Sequence, residues 1–367
     1  MLKKPFYFLI LSSFLNLIEG GIFGLRDKVQ EAPDSKFLEG LRDGRILDEI
    51  GMQGVFEKKN EENELRMPGV ILESNETYLC AAFPLNRNQP HYLVEFEALA
   101  DAHHIHHILL FGCDDPGSDA PVWDCGEMSP TSSNYLQSPV CNSRSDILFA
   151  WAKGAPRFQL PPGVGYKVGG QYSKKNLILQ VHYMHEESKK DYSGLKIVST
   201  TAPQPRTAAT LLVATGGTVK AHQRTNFEAA CVIDEPVVLH PFAYRVHTHG
   251  HGVDVAGYIV SENAQTREDR WQLIGRRDPQ LPQLFAPVEN SSMTIQPGDI
   301  IASKCTMKND EDHDVSVGGT GKMEMCNFYI AYYVEGERTL EDNTCFSPGA
   351  PVYTWKDTAR LNHIPKN

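Results

Sequence analysis

From Pro68 onward the chain repeats one texture. Short apolar or alternating runs ("YLVEFEAL", "HHILLFG", "DILFAWA", "NLILQVHYM", "GLKIVST", "AYRVHTH", "DVAGYIV", "RWQLIG", "CNFYIAYYV") are separated by turns such as "LPPGVG" and "NSSMTIQPGD". Alternation with a period of two marks a half-buried strand, because successive side chains point to opposite faces. No long segment keeps a helical period. The pattern therefore predicts an all-β protein, built as a sandwich or a barrel. The stretch "STTAPQPRTA" at 199–208 has two prolines and no apolar period, which predicts a linker. It divides the chain into an N-terminal β-sandwich domain at 65–200 and a C-terminal one at 201–356, each of ordinary domain size, with a tail at 357–367. No sequence repeat relates the halves.

The first 64 residues read differently. Lys3 and Lys4 precede an apolar run from Phe6 to Ile18, then small residues. That run is short for a membrane span and fits a secretory signal peptide at 1–20. Residues 21–64 form a polar lead-in that ends in "EKKNEENE". With no second long apolar segment and no retention signal, the expected location is the secretory lumen, secretory granules or outside the cell, without a stable membrane anchor. Asn75 and Asn290 open glycosylation sequons. A net charge of −11 argues against a nucleic-acid partner.

The eight cysteines include no CxxC pair, so disulfides in an oxidising compartment explain them better than zinc or redox motifs. Four lie before residue 142 and four after 230, which predicts two separately stapled halves.

Histidine carries the chemistry. His103, His104, His106 and His107 fall within five positions, His182 and His185 follow in "LQVHYMH", and His247, His249 and His251 lie in "RVHTHGHG". In a strand, residues two apart share a face, so His247 and His249 offer a metal clamp, while the glycines around His251 bend the chain away. The adjacent pair His106 and His107 would face opposite ways in a regular strand. Joint ligation there needs a twist, a bulge or the nearer Nδ1 atoms. Zinc would want a carboxylate, a further ligand or a nearby general base, and no HExxH motif is present. Imidazole sets, with or without a thioether such as Met323 or Met325 of "GKMEMCNFYIAYY", suit copper.

Together, "HHILLFGC", "LQVHY", "AYRVHTH", "GRRDPQLPQ" and "EMCNFYIAYY" resemble the copper type II, ascorbate-dependent monooxygenases, most nearly the branch that acts on glycine-terminated peptides. "RMPGV" and "LPPGVGYKVGG" belong to the same likeness, which covers roughly 65–346. The resemblance implies two jelly-roll β-sandwich domains with one copper each, facing across a solvent cleft. His106, His107 and His182 would bind the electron-donating copper, and His247, His249 and Met325 the one that activates oxygen. His103 and His104 are left without a task. The implied disulfides are Cys80–Cys125, Cys113–Cys141, Cys231–Cys345 and Cys305–Cys326. A fifth family disulfide has no cysteines here.

The implied reaction is hydroxylation of the α-carbon of a C-terminal glycine, with copper, ascorbate and O2, as the first step of peptide amidation. Arg245, Asn327 and Tyr329 would clamp the substrate. Gln180 would orient a ligand, and His240 would act near the oxygen-binding copper. A dopamine or tyramine β-monooxygenase-like amine hydroxylase is the rival within the family. It would carry a further N-terminal domain and need no cation at Arg245. A secreted copper-binding protein without catalysis is the rival outside it. With about 20 residues after Cys345 there is no room for a lyase domain, so the chain is expected to be monofunctional, with a separate peptidyl-hydroxyglycine lyase acting downstream.

Overall fold

The computed structural model describes residues 60–101, 103–126, 134–152, 154–171, 173–262, 265–319 and 323–366. The expected signal peptide at 1–20 and residues 21–59 of the lead-in lie outside them. Among the described residues there is no helix, only strands, turns and loops. Residues 58–367 form one compact unit.

An eleven-stranded sheet runs through that unit. Its main path is Asn60–Arg66, Gly194–Thr200, Pro90–Leu99, Val164–Gly169, Arg206–Val219, Cys326–Glu335, His240–His247 and Ala286–Pro287. The two halves of the sequence meet where Arg206 and Thr207 pair in parallel with Val164 and Gly165. The expected linker is thus only residues 201–205, because strands claim both of its flanks. The end of the polar lead-in is also a strand. Asn60–Arg66 pairs along its whole length with Gly194–Thr200, yet buries only Leu65, so no apolar alternation announces it.

Each half packs a second sheet on the long one, and no barrel closes. In the first half, Thr77–Pro84, Asn176–Tyr183, Ile105–Cys113 and Ser145–Ala152 form the body of a five-stranded sheet. Its Ile108, Leu110 and Phe149 bury against Leu93, Phe96 and Tyr166 of the long sheet, with Phe96 and Phe149 stacked at 4.7 Å. In the second half, Arg224–Val232, Ile300–Lys308, Gly252–Glu262 and Asp269–Arg277 form a four-stranded sheet. Phe227, Ile259 and Ile301 there meet Val213, Val246 and Phe328. The tail is docked on the far side of this sheet. Trp355 and Leu361 are buried against Ala256, Tyr258 and Ala302, and Trp355 Nε1 donates to the Ala229 carbonyl at 2.9 Å.

A third apolar cluster positions the site. Leu109, Phe111 and Ile178, on the outer face of the five-stranded sheet, meet Ala243, Phe285, Tyr329 and Ala331 of the other half. By strand periodicity these faces also carry His107, His182, Arg245, His247 and Asn327.

The four disulfides are the pairs that the family resemblance implies: Cys80–Cys125, Cys113–Cys141, Cys231–Cys345 and Cys305–Cys326. The last two join the four-stranded sheet to the long sheet across sequence separations of 114 and 21 residues. Chain-entropy arguments give the longer closure the larger effect. Replacing Cys231 and Cys345 by Ala should cost about 5 kcal/mol in denaturant unfolding, against about 3 kcal/mol for Cys305 and Cys326. The reverse order would contradict this account.

Candidate metal centre

Strands Asn176–Tyr183 and Ile105–Cys113 set His182 directly opposite His107. The next ladder pair is Tyr183 with Ile105, so His106 is left over as the extra residue of a β-bulge. That bulge removes the objection to two adjacent ligands, because it turns His106 toward the face that His107 occupies. The two Nδ1 atoms stand 3.1 Å apart. One ligand atom from each of His106, His107 and His182 lies within 4.8 Å of the others.

His182 is oriented by two neighbours. The Tyr78 ring stacks on it at 3.9 Å, and Nε2 hydrogen-bonds Glu76 Oε2 at 2.7 Å. Burial, then His106 and His249, push its pKa down to about 3, so the ring is neutral and Nε2 carries the proton. Nδ1 remains as a buried nitrogen with no partner, which is the state of a waiting ligand.

The second group sits on the other half. Arg245 pairs across the ladder with Tyr329, and His247 with Asn327, so all four share a face. The HxH reading needs correction in one respect. The strand ends at His247, and His249 lies in the loop that follows, its ring 5.3 Å from that of His247. Met325 immediately precedes strand Cys326–Glu335. Asn327 Nδ2 reaches Met325 Sδ at 3.8 Å and Tyr329 Oη at 3.3 Å.

Two glutamines of "GRRDPQLPQ" hold this group. Gln283 Oε1 accepts from His247 Nδ1 at 2.5 Å while its amide nitrogen donates to the carbonyls of Thr248 and Pro279. His247 Nε2 is thereby left as the nitrogen not engaged by Gln283. Gln280 donates to the carbonyls of His249 and Gly252. Glu324, buried, ties the two ligand segments together. Its carboxylate accepts the backbone N–H groups of His249, His251 and Met325, and bonds His251 Nδ1 at 3.1 Å.

Arg245 is only 2% exposed. Among the described residues its partners are the Gln283 carbonyl at 2.8 Å and Tyr329, whose ring lies 5.1 Å from the guanidinium, and neither is a carboxylate. Burial holds its pKa below the ordinary arginine value, with Tyr329 opposing. Burial likewise holds His107 and His247 well below the ordinary histidine range. His247 also feels Arg245 and His106, and His107 feels His182 and Arg245. The two sets are thus within electrostatic reach of each other. His106, His107, His182, His247 and His249 line one cavity of about 410 Å³. A second, of about 810 Å³, is bounded by Leu109 and Phe111 on one side and by Arg245, Met325, Asn327 and Tyr329 on the other.

Two expected residues make other contacts, although Gln180 lines the larger cavity. Gln180 shares the face of His182 but places its amide nitrogen 3.5 Å from Cys125 Sγ, against a disulfide. His240 stacks on Tyr333 at 4.8 Å, at the opposite end of the strand from His247. Seven residues of strand are about 23 Å, so His240 does not reach the His247–His249–Met325 group. His104 and His103 stay outside the ligand group, His104 Nδ1 lying 4.0 Å from Glu187. Both sequon residues, Asn75 and Asn290, are exposed.

Sequence reasoning missed Glu76, Tyr78, Gln280, Gln283 and Glu324. The glutamines and Glu324 lie inside motifs that carry the family likeness, and Glu76 sits within a sequon. Nothing local marks any of them as a partner of histidine.

Glu324→Ala would strand three partly buried backbone N–H groups and should lower stability by about 3 kcal/mol in denaturant unfolding. Glu324→Gln, which keeps one acceptor oxygen, should cost less. Equal losses would mean that the carboxylate acts through its charge alone.

Comparisons with known proteins agree with this geometry. Residues 63–190 match the N-terminal domain of the copper type II ascorbate-dependent monooxygenases, and residues 206–358 match the C-terminal domain. The peptidyl-glycine alpha-amidating monooxygenase B of Xenopus laevis is 39% identical over 295 residues, covering 78% of this chain and 32% of that protein. The Rattus norvegicus peptidylglycine alpha-amidating monooxygenase is 37% identical, with 78% and 28% covered. The dopamine beta-hydroxylase of the same species is 27% identical over 302 residues, with 76% and 46% covered. The chain thus spans about a third of the length of the amidating relatives it matches. With both domain models matched in order over most of its length, the chain belongs to the copper type II ascorbate-dependent monooxygenase family.

Proposed function

We propose that the chain hydroxylates the α-carbon of C-terminal glycine in peptides, drawing two electrons from ascorbate and one oxygen atom from O2, with the second oxygen leaving as water. The observation that carries this reading is Arg245. Among the described residues it is a buried cation without a carboxylate partner, in step with His247 and opening on the cleft. An unpaired buried charge is costly, and a peptide's terminal carboxylate supplies the missing partner in bidentate form. Tyr329 and Asn327, hydrogen-bonded to each other beside it, hold the rest of the glycine.

The residues fit two coppers. His106, His107 and His182 hold one through imidazole alone, and His182 Nδ1 waits for it, buried and unpaired. His247, His249 and Met325 hold the other, where a thioether favours the cuprous state. Copper supplies one-electron chemistry and oxygen activation. Glu76 and Gln283 keep the imidazole protons on the nitrogens turned away from the ligand positions.

The relatives named for peptidylglycine are the more similar ones, and Arg245 has no task in an amine hydroxylase. Four disulfides fit a secretory-lumen enzyme, granule-held or secreted, with glycans at Asn75 and Asn290. A lyase activity must then cleave the hydroxyglycine before an amide forms.

Copper-loaded protein given ascorbate should add one oxygen to a glycine-terminated peptide and none to tyramine, read by mass spectrometry. The opposite result would move it to the amine branch. Arg245→Gln should raise KM for the peptide about 10- to 100-fold, the worth of a charged hydrogen bond, and should leave a substrate lacking the carboxylate unaffected. Met325→Ile should abolish turnover and lower bound copper from two to one per chain. Retention of both coppers, or loss of both, would contradict the ligand assignment.

A further inference from the structure

The cleft does not stop at the proposed clamp. Its floor is built by strands Arg206–Val219 and Thr344–Pro348, which pair in parallel, Leu212 with Thr344, Ala214 with Phe346 and Gly216 with Pro348. Over Leu212–Gly216 and along Thr344–Pro348 burial alternates. Val213, Thr215, Cys345 and Ser347 point inward, while Leu212, Ala214, Gly216 and Thr218, with Thr344, Phe346 and Pro348, point outward. The near part of this outward face lines the cleft that holds Arg245. The far part lines a separate groove of about 730 Å³. Phe346 belongs to both.

We propose that this outward face is a binding track for the peptide residues that precede the C-terminal glycine. The proposal rests on the function argued above and adds where the rest of the substrate lies. Leu212 pairs with Tyr329, and Ala214 with Asn327, so the clamp stands at the start of the track. From there to Gly216 is two to four residues of strand, about 7–13 Å. An extended peptide covers that span with the same number of residues. Counting the glycine as the first position from the C-terminus, the far groove receives roughly the third to the fifth.

The groove is also specific about chemistry. Phe346 is 61% and Val352 71% exposed, with Pro348 and Pro351 beside them, an unusual display of apolar surface in one place. Among the described residues no acidic side chain lines it, and the one cation, Lys220, is already paired with Asp314 at 2.7 Å. Gly216 keeps the floor at backbone level. A Cβ there would stand 3.1 Å from the Val317 carbonyl and 3.7 Å from the Phe346 ring, rising into the track. The ligand that fits is an extended peptide with apolar side chains at those positions.

The test uses the copper-loaded full chain, ascorbate and a series of N-acetylated peptides of two to eight residues, each ending in glycine with apolar residues before it. Initial rates of hydroxylation give kcat/KM for each length. We expect a rise of about tenfold from the dipeptide to the pentapeptide, carried by KM, and a plateau beyond. Glutamate at the third to fifth positions should remove the gain. Val352→Asp, and independently Pro348→Asp, should bring the pentapeptide-to-dipeptide ratio close to one. A wild-type ratio already near one, or a full gain in both variants, would overturn the track while leaving the glycine chemistry standing. Absence of oxygen on every peptide would overturn the functional reading itself.

Discussion

Everything at this site depends on one apolar contact, the meeting of two sheet faces that in an isolated sandwich would be solvent-facing. Leu109, Phe111 and Ile178 from one half bury against Ala243, Phe285, Tyr329 and Ala331 from the other. Because strand side chains alternate, a face committed to that contact also commits His107, His182, Arg245, His247 and Asn327 to the same space. The contact therefore sets how close the two histidine groups stand, and the burial it brings favours the neutral form of His107, His182 and His247. The continuous long sheet supports it from behind through the parallel pairing at Arg206 and Thr207.

Neutral imidazoles still need direction, and hydrogen-bond acceptors supply it. Glu76 holds the outward nitrogen of His182, and Gln283 that of His247. Glu324 works on the backbone and fastens the loop carrying His249 to the residue before strand Cys326–Glu335, where Met325 sits. Cys305–Cys326 anchors the same point to the second sheet. The proposed ligands His249 and Met325, both just outside strands, are thereby held together more firmly than either segment would be alone.

Much of this was legible in the chain. Period-two alternation identified an all-β architecture, and an even cysteine count without CxxC identified disulfides. Of the three histidine groups, read with the family likeness, the structure gathers His106, His107 and His182 into one cluster. What escaped was long-range or locally featureless. Asn60–Arg66 is a strand by pairing, with one buried side chain, so its sequence carries no strand signal. The family likeness implied a role for His240 near His247, yet the strand that bears both carries residues apart at about 3.3 Å each.

The sequence by itself determined the strand-rich class, the donor types and which residues share a face of a regular strand, because those follow from composition and a fixed two-residue period. Tertiary structure decided the exceptions to that period. Only the pairing with His182 shows that His106 sits in a bulge and so joins His107. Only the fold brings Glu76, Gln283 and Glu324 to their histidines, across separations of 106, 36 and 75 residues. Register and long-range partners depend on which surfaces bury each other, and that is a property of the assembled sheets, not of any local stretch of chain.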